Sequence, residues 1–197
     1  MTGKDIIVVD EVGAIVSALS GSIPEFLPDG TRQERNPKTL LQILQDSHPE
    51  IEGIFYQYGP GLEVSETLAQ KDMSQTQISK KYPLIVLFSG FEERIDNSLG
   101  IYEAANINIV IVYQTTTSMK TSERYDRNFR PVLYPIYHAF ITQLEQSGRL
   151  MWNNGVVAHR KTDKPYYDPA KDVNGGNDFL DAIEITDLNL SFYNQIC

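Results

Sequence analysis

The chain has 197 residues, 41% hydrophobic and 22% charged, which is too apolar for a disordered protein and long enough for one domain with its own core. Its net charge of −9 argues against a protein that grips nucleic acid along its surface, because phosphate binding requires clustered Lys and Arg. The longest apolar run, Leu84–Phe88, is far shorter than the roughly 20 residues of a membrane span, and no signal-peptide pattern precedes it, so we expect no membrane association.

The first third of the chain predicts short helices before the first strand. Apolar residues spaced by three and four predict an amphipathic helix that ends at Gly21; they are Ile6, Val9, Val12, Ile15, Val16 and Leu19. A loop over residues 22–35 precedes a helix that we expect to start at Asn36-Pro37 and to stop before His48. A strand follows over residues 54–58, and the polar stretch 62–77 predicts either a helix or an extended arm.

The remaining two thirds predict a sheet and one long helix. We expect buried strands over residues 82–88 and 105–113, separated by a polar turn region over 92–100. Residues 115–128 read as a loop, followed by a helix from Phe129 to Gly148 in which Pro135 causes a kink or a delayed start. A strand is predicted to begin at Val156, with a long loop over 163–178.

The last strand has an apolar pattern that changes phase. Ile183 and Ile185 share one face by count, whereas Leu188, Leu190 and Phe192 share the other. Because side chains alternate with a period of two, this pattern requires a β-bulge near Thr186-Asp187 or two separate strands.

These elements predict an α+β fold with a mixed, mainly antiparallel sheet, one long helix packed across it, an N-terminal helix and extended loops. We expect a single domain in which residues 1–80 provide helices and a loop or arm region and residues 81–197 provide the sheet and helix core.

No pattern predicts a cofactor or a metal. The segment Asp172–Asp178 resembles a calcium loop, but it has Gly176, Asn177 and Ile183 where that loop requires an oxygen ligand, Gly and Glu, and it reads as a polar turn. The single cysteine, Cys197, allows no internal disulfide and no cysteine metal site, and it suggests folding in a reducing cytoplasm.

Several acidic residues permit a catalytic alternative. His159 and Asp163, with Asp168 and Asp181, are candidates for a metal or acid–base site, although no pair has a diagnostic spacing. A metal-dependent nuclease would use Glu92, Asp163 and Asp181. The segment around Glu92 lacks the Lys that such a site needs, and no phosphate-binding Gly loop or nucleophile motif occurs, so we expect no catalytic residues.

Two groups of residues are candidates for contact with partners. Arg124, Arg127 and Arg130 recur every three residues, which on a helix would place them along one side, as a contact for an acidic neighbour or for phosphate, or simply as a solvated face. Tyr166 and Tyr167 are either an exposed aromatic anchor for a partner or part of a loop tucked over the sheet.

Six segments over roughly residues 80–197 form a recognisable series: Lys81–Phe88, Ser122–Arg124, Phe129–Tyr137, His159, Lys164–Tyr166 and Asp178–Glu184. In this order they resemble neck proteins of the crAss-like tailed phages and, more remotely, the tail-completion (tail-terminator) family. The resemblance implies a structural protein of the virion, assembled in the host cytoplasm, that forms a ring in the head-to-tail connector around the DNA channel.

The same resemblance implies the partners. They are copies of the chain itself, the portal and other neck or tail proteins, and genomic DNA that passes without sequence-specific binding. The acidic charge agrees with a passage in which tight DNA binding would stall ejection. The alternatives are a host-directed adaptor that binds through the Tyr166 loop and, less favoured, the nuclease.

Overall fold

The computed structural model describes residues 8–73, 80–96, 101–148, 150–151, 157–167 and 179–193. The first three helices are α1 (Val8–Leu19), α2 (Leu40–Ser47) and α3 (Gly61–Asp72), and the fourth, α4, spans 26 residues, 121–146. The strands are β1 (Phe55–Gly59), β2 (Leu84–Phe88), β3 (Glu92–Asp96), β4 (Ile101–Gln114), β5 (Leu150–Met151), β6 (Arg160–Tyr167) and β7 (Leu180–Tyr193). None of the helices in these ranges has the length and apolarity that crossing a bilayer requires.

The seven described strands form one mixed sheet, which confirms the predicted α+β fold. Its order is β1-β2-β4-β7-β5, and every pairing is antiparallel except that of β1 with β2. The long strands β4 and β7 pair along their whole length at the centre. β2 and β3 lie end to end along the other side of β4, and β6 and β5 lie end to end along the other side of β7. β1, from the N-terminal part of the chain, therefore belongs to the same sheet as the later strands.

Two matched bulges keep one face of the sheet apolar, here called the helix face because it packs against α4. The predicted bulge in β7 is present at Asp187, whose φ is 57°, and β4 has its own bulge at Asn106, with φ 59°. The two bulges lie on either side of the Ile107–Leu188 pair, so the phase shift in one strand is matched by the phase shift in the other. The Asn106 backbone N–H donates to the Asn189 side chain at 3.1 Å.

As a result, a row of buried residues from both strands stays on the helix face from end to end. The row consists of Tyr102, Ala104, Ile107, Ile109, Ile111 and Tyr113 in β4 and of Asp181, Ile183, Ile185, Leu188, Leu190 and Phe192 in β7. By alternation, the other buried residues of these strands, Val110, Val112, Leu180 and Ala182, lie on the opposite face.

Helix α4 starts earlier than its pattern predicts. The sequence favours a loop until residue 128, but the helix begins at Thr121. Its start is capped by the Glu123 carboxylate, which accepts a hydrogen bond from the backbone N–H of Lys120. Residues Tyr125–Leu133 then form wider π-helical turns, and an α-helix resumes at Tyr134. Prolines 131 and 135 lack the N–H that a regular helix uses, so the predicted irregularity takes the form of a π segment within a continuous helix.

Smaller corrections concern where elements begin. α1 lies where its periodicity predicts, but α2 begins after Thr39, not at Asn36-Pro37, because Thr39 and Gln42 form a reciprocal capping box. The stretch 61–72 is a helix. Residues 92–96 form a strand where a polar turn was predicted. The strand β6 covers 160–167, so residues 163–167 are a strand where a loop was predicted. Both are edge strands, which need no apolar alternation to pair. Val156 and residues 168–178 lie outside the described residues.

Candidate functional site

Arg124 lies at the centre of a buried polar cluster, away from solvent. Its side chain and that of Asp181 are both 0% exposed, and Arg124 Nη1 donates to Asp181 Oδ1 at 2.9 Å. The second oxygen, Asp181 Oδ2, accepts from Asn128 Nδ2 at 2.7 Å. Arg124 Nη1 also donates to Thr115 Oγ1 at 2.7 Å, and Arg124 Nε donates to the Met119 carbonyl at 3.2 Å. The guanidinium therefore joins α4, β7 and the 115–119 loop.

Tyr166 closes this cluster. Its ring lies over the guanidinium, 3.4 Å from the Arg124 Cζ atom to the ring centroid. Its hydroxyl donates to the Met119 carbonyl at 2.9 Å, and its backbone N–H approaches Asp181 Oδ1 at 3.3 Å. The φ of Tyr166 is 59°, a conformation that costs free energy for a residue with a side chain. We infer that these contacts hold Tyr166 in place and shield Arg124 from water.

The three arginines that the sequence predicts on one side of a helix therefore have different environments. Arg127 and Arg130 are exposed, and Arg130 forms an ion pair with Asp126 at 2.6 Å, but Arg124 is not on their side of the helix. In an α-helix a spacing of three falls short of a full turn by about 60° per step, so Arg124 and Arg130 point in different directions. The signal that identifies the buried pair is Asp181, a lone acid in phase with Ile183 and Ile185.

The two tyrosines also have different environments. Tyr166 is 46% exposed, but its ring face is occupied by Arg124. Tyr167 is half-buried and packs against the core, with Lys164 Nζ 5.8 Å from its ring centroid. The segment that contains both residues is the edge strand β6, so neither of the predicted arrangements, a projecting loop or a loop tucked over the sheet, describes it.

A second polar cluster joins α4 to β6. The Tyr134 hydroxyl donates to Asp163 Oδ2 at 2.7 Å, and the Tyr137 hydroxyl lies 2.7 Å from His159 Nε2. Lys161 forms an ion pair with Asp163, and its Nζ lies 4.6 Å from the Tyr134 ring centroid. Burial, and then the hydrogen bond to Asp163, raise the pKa of Tyr134. These groups fasten the edge strand to the helix.

The carboxylates of the nuclease alternative do not meet. Glu92 is opposite Ala105 on β4, and Asp181 is opposite Tyr113 at the other end of that strand. Eight residues of strand separate these levels, a distance of about 25 Å. Asp181 is hydrogen-bonded to Arg124 and Asn128, and Asp163 is bound by Tyr134 and Lys161.

Among the described residues, no three His, Cys, Asp or Glu side chains are grouped so that they could hold a metal ion. Asp168 and the calcium-like segment at 172–178 lie outside the described residues.

One groove of about 550 Å³ lies between the 22–30 loop and α4. Ile23 and Phe26 on the loop wall are 60% and 54% exposed, and Tyr134, Pro135 and Ala139 line the helix wall. The loop is held by its own hairpin contacts, including the Phe26–Arg32 bridge. This groove, which the sequence did not predict, is an apolar surface of the kind that accepts a peptide segment.

No protein-family model matches the chain, and the comparison with curated proteins finds no match. A functional assignment therefore rests on the residues of the chain itself.

Proposed function

We propose that this chain is a structural subunit of a ring in the head-to-tail connector of a tailed phage, where it joins the portal side to the tail side around the DNA channel. The observation that carries the proposal is a sheet fastened to the long helix by hydrogen bonds, in which the edge strands β3 and β6 each pair on one side only among the described residues. The family resemblance over residues 80–197 supplies the place of the ring in the virion.

Rigidity is the first support. A ring subunit must hold its shape under load, and here the long helix is fastened to the sheet at two places. Arg124 and Asn128 bind Asp181 on β7, and Tyr134 and Tyr137 bind Asp163 and His159 in and before β6. Between them, Phe129, Val132 and Ile136 are completely buried, so the helix and sheet form one packed unit.

Surfaces for contact are the second support. Edge strands with unpaired backbone groups are templates for pairing with another chain. Among the described residues, β3 pairs only with β4, and β6 pairs only with β7. Together with the apolar groove beside the 22–30 loop, these edges give the subunit separate surfaces for neighbours.

Charge is the third support. The chain has 26 acidic residues against 17 Lys and Arg, so its field repels a DNA duplex. Repulsion suits a passage through which DNA must move without being held.

Mass photometry of the purified chain over a concentration series tests the ring. The proposal predicts a discrete multimer that grows at the expense of the monomer as concentration rises, and electron microscopy of that species should show closed rings. A chain that remains monomeric at every concentration contradicts it.

The groove favours the adaptor as a second candidate. An adaptor would use the surface between Phe26 and Tyr134 to bind a host peptide. In the adaptor model Phe26→Asp abolishes capture of a host protein and leaves the mass distribution of the chain unchanged. In the ring model the chain is recovered with intact virions in fixed proportion to the portal.

A further inference from the structure

We propose that the open edges β3 and β6 join between copies of this chain, so that β3 of one subunit pairs with β6 of the next. This inference rests on the ring function proposed above and assigns the surfaces through which the ring closes. The occupant of each edge is a second copy.

The strand directions permit this pairing. β3 is antiparallel to β4, β4 is antiparallel to β7, and β7 is antiparallel to β6. β3 and β6 therefore run in opposite directions at the two sides of the sheet. When the β6 edge of one copy meets the β3 edge of the next, the antiparallel alternation continues across the boundary. Such a head-to-tail contact uses two different surfaces and closes into a ring when the rotation between copies permits.

The charges of the two edges are complementary. β3, with the sequence EERID, has three acidic residues and one basic residue, a net charge of −2. β6, with the sequence RKTDKPYY, has three basic residues and one acidic residue, a net charge of +2. Two copies of β3, or two copies of β6, would bring like charges together, so the charges favour the mixed pairing over either symmetrical one.

Two of the charged side chains at these edges, Arg94 and Arg160, are held by weak, exposed internal pairs, whereas Lys161 and Lys164 form closer pairs with Asp163 and Glu184. Arg160 lies 3.3 Å from Asp187 with 73% and 60% of the two side chains exposed, and Arg94 lies 3.6 Å from Glu103 with 73% and 41% exposed. Exposed pairs of this kind contribute little, so the side chains can re-pair across an interface. Ile95 on β3 is 60% exposed, and the joined edge would cover it.

The offset of the two edges fits a closed sheet. β3 is centred opposite Glu103 on β4, whereas β6 is centred near Glu184, which is opposite Val110. At about 3.3 Å per residue, and allowing for the bulge, this stagger is ~20 Å, close to the ~19 Å width of four strands. A stagger equal to the width tilts the strands by about 45° to the ring axis, an inclination that closed sheets adopt.

Charge-reversed variants test the pairing. Variant one, Glu92→Lys with Ile95→Lys, changes the net charge of β3 from −2 to +1, and variant two, Arg160→Glu with Lys164→Gln, changes that of β6 from +2 to −1. Each variant alone brings like charges together and should remain monomeric by mass photometry. An equimolar mixture restores opposite charges at every boundary and should recover multimers with alternating subunits. Far-ultraviolet circular dichroism of each variant checks its fold.

The salt dependence of the wild-type chain tests the same claim without a variant. Between about 0.1 M and about 1 M salt the screening length falls from about 10 Å to about 3 Å, so multimers held by these edges should dissociate.

The pairing is overturned if either folded variant assembles alone as the wild type does, if the mixture stays monomeric, or if salt leaves the multimer unchanged. In those cases the wild-type ring and the proposed function still stand. A wild-type chain that never assembles overturns both.

Discussion

Arg124 and Asp181 form an ion pair of 2.9 Å in which neither side chain is exposed to solvent. A buried pair is expensive to desolvate, and it is stable where hydrogen bonds satisfy its remaining donors and acceptors. Here Asn128, Thr115 and the Met119 carbonyl supply those partners, and the ring of Tyr166 excludes water. The pair specifies how the helix is docked on the sheet.

Removing one member of this pair should strongly lower the free energy of unfolding. Asp181→Ala leaves the Arg124 charge buried without its counter-ion, and we expect a loss of about 3–5 kcal/mol in the free energy of unfolding, measured with urea. The matched control is Asp126→Ala, which breaks the exposed pair with Arg130 and should cost less than about 1 kcal/mol. Equal small losses in both variants would show that the buried pair does not hold the fold.

Tyr166 should stabilise the protein through its ring more than through its hydroxyl. Tyr166→Ala removes the ring from the Arg124 guanidinium, and the desolvated cation–π contact predicts a loss of about 2 kcal/mol. Tyr166→Phe keeps the ring and loses only hydrogen bonds, so the expected loss is about 1 kcal/mol. Thermal and urea unfolding of the two variants measure the difference, and a Phe variant as unstable as the Ala variant would refute the assignment.

The bulge at Asp187 should tolerate glycine but not deletion. Asp187→Gly removes the strain of a positive φ and should leave the free energy of unfolding unchanged or raised by up to about 1 kcal/mol. Deleting Asp187 shifts the strand by one position and turns Leu188, Leu190 and Phe192 away from the helix face. Circular dichroism should then show an unfolded chain, whereas a cooperative transition in the deletion variant would contradict the matched-bulge account.

The protein should lose stability in alkaline solution. Burial raises the pKa of Tyr113 and of Tyr134 above the ordinary value of 10.0, and hydrogen bonds to Glu50 and Asp163 add to the shift. The folded state keeps the neutral phenols, so this contribution is intact below pH 10 and is lost as the pH rises towards the folded pKa values.

Ultraviolet absorbance of tyrosinate and far-ultraviolet circular dichroism, followed through one alkaline titration, measure this effect. We expect part of the tyrosine signal to appear together with loss of structure. If all tyrosines ionise near pH 10 while the chain stays folded, the prediction is wrong.

The sequence reveals the fold where hydrophobic phase is informative. The change of phase between Ile185 and Leu188 predicts a bulge, and the structure has it at Asp187. The sequence does not predict the paired bulge at Asn106, because Ile107, Ile109 and Ile111 keep a regular alternation and the residues just before them, 103–106, are polar or small.

The edges and the site are harder to predict for a different reason. β3 and β6 are edge strands, so their pairing comes from backbone groups, and their sequences carry no apolar alternation. The spacing of the arginines suggests a common surface, but only tertiary contacts distinguish the buried Arg124 from the exposed Arg130. Charge in a sequence does not specify exposure.

The central claim is that the chain works as a structural subunit that is built into the particle. Quantitative mass spectrometry of intact, purified virions tests it most directly, with the portal protein as the internal standard. The account predicts that the chain is present in a fixed ratio to the portal in every preparation. Absence of the chain from intact particles, or a ratio that varies from one preparation to the next, would contradict it.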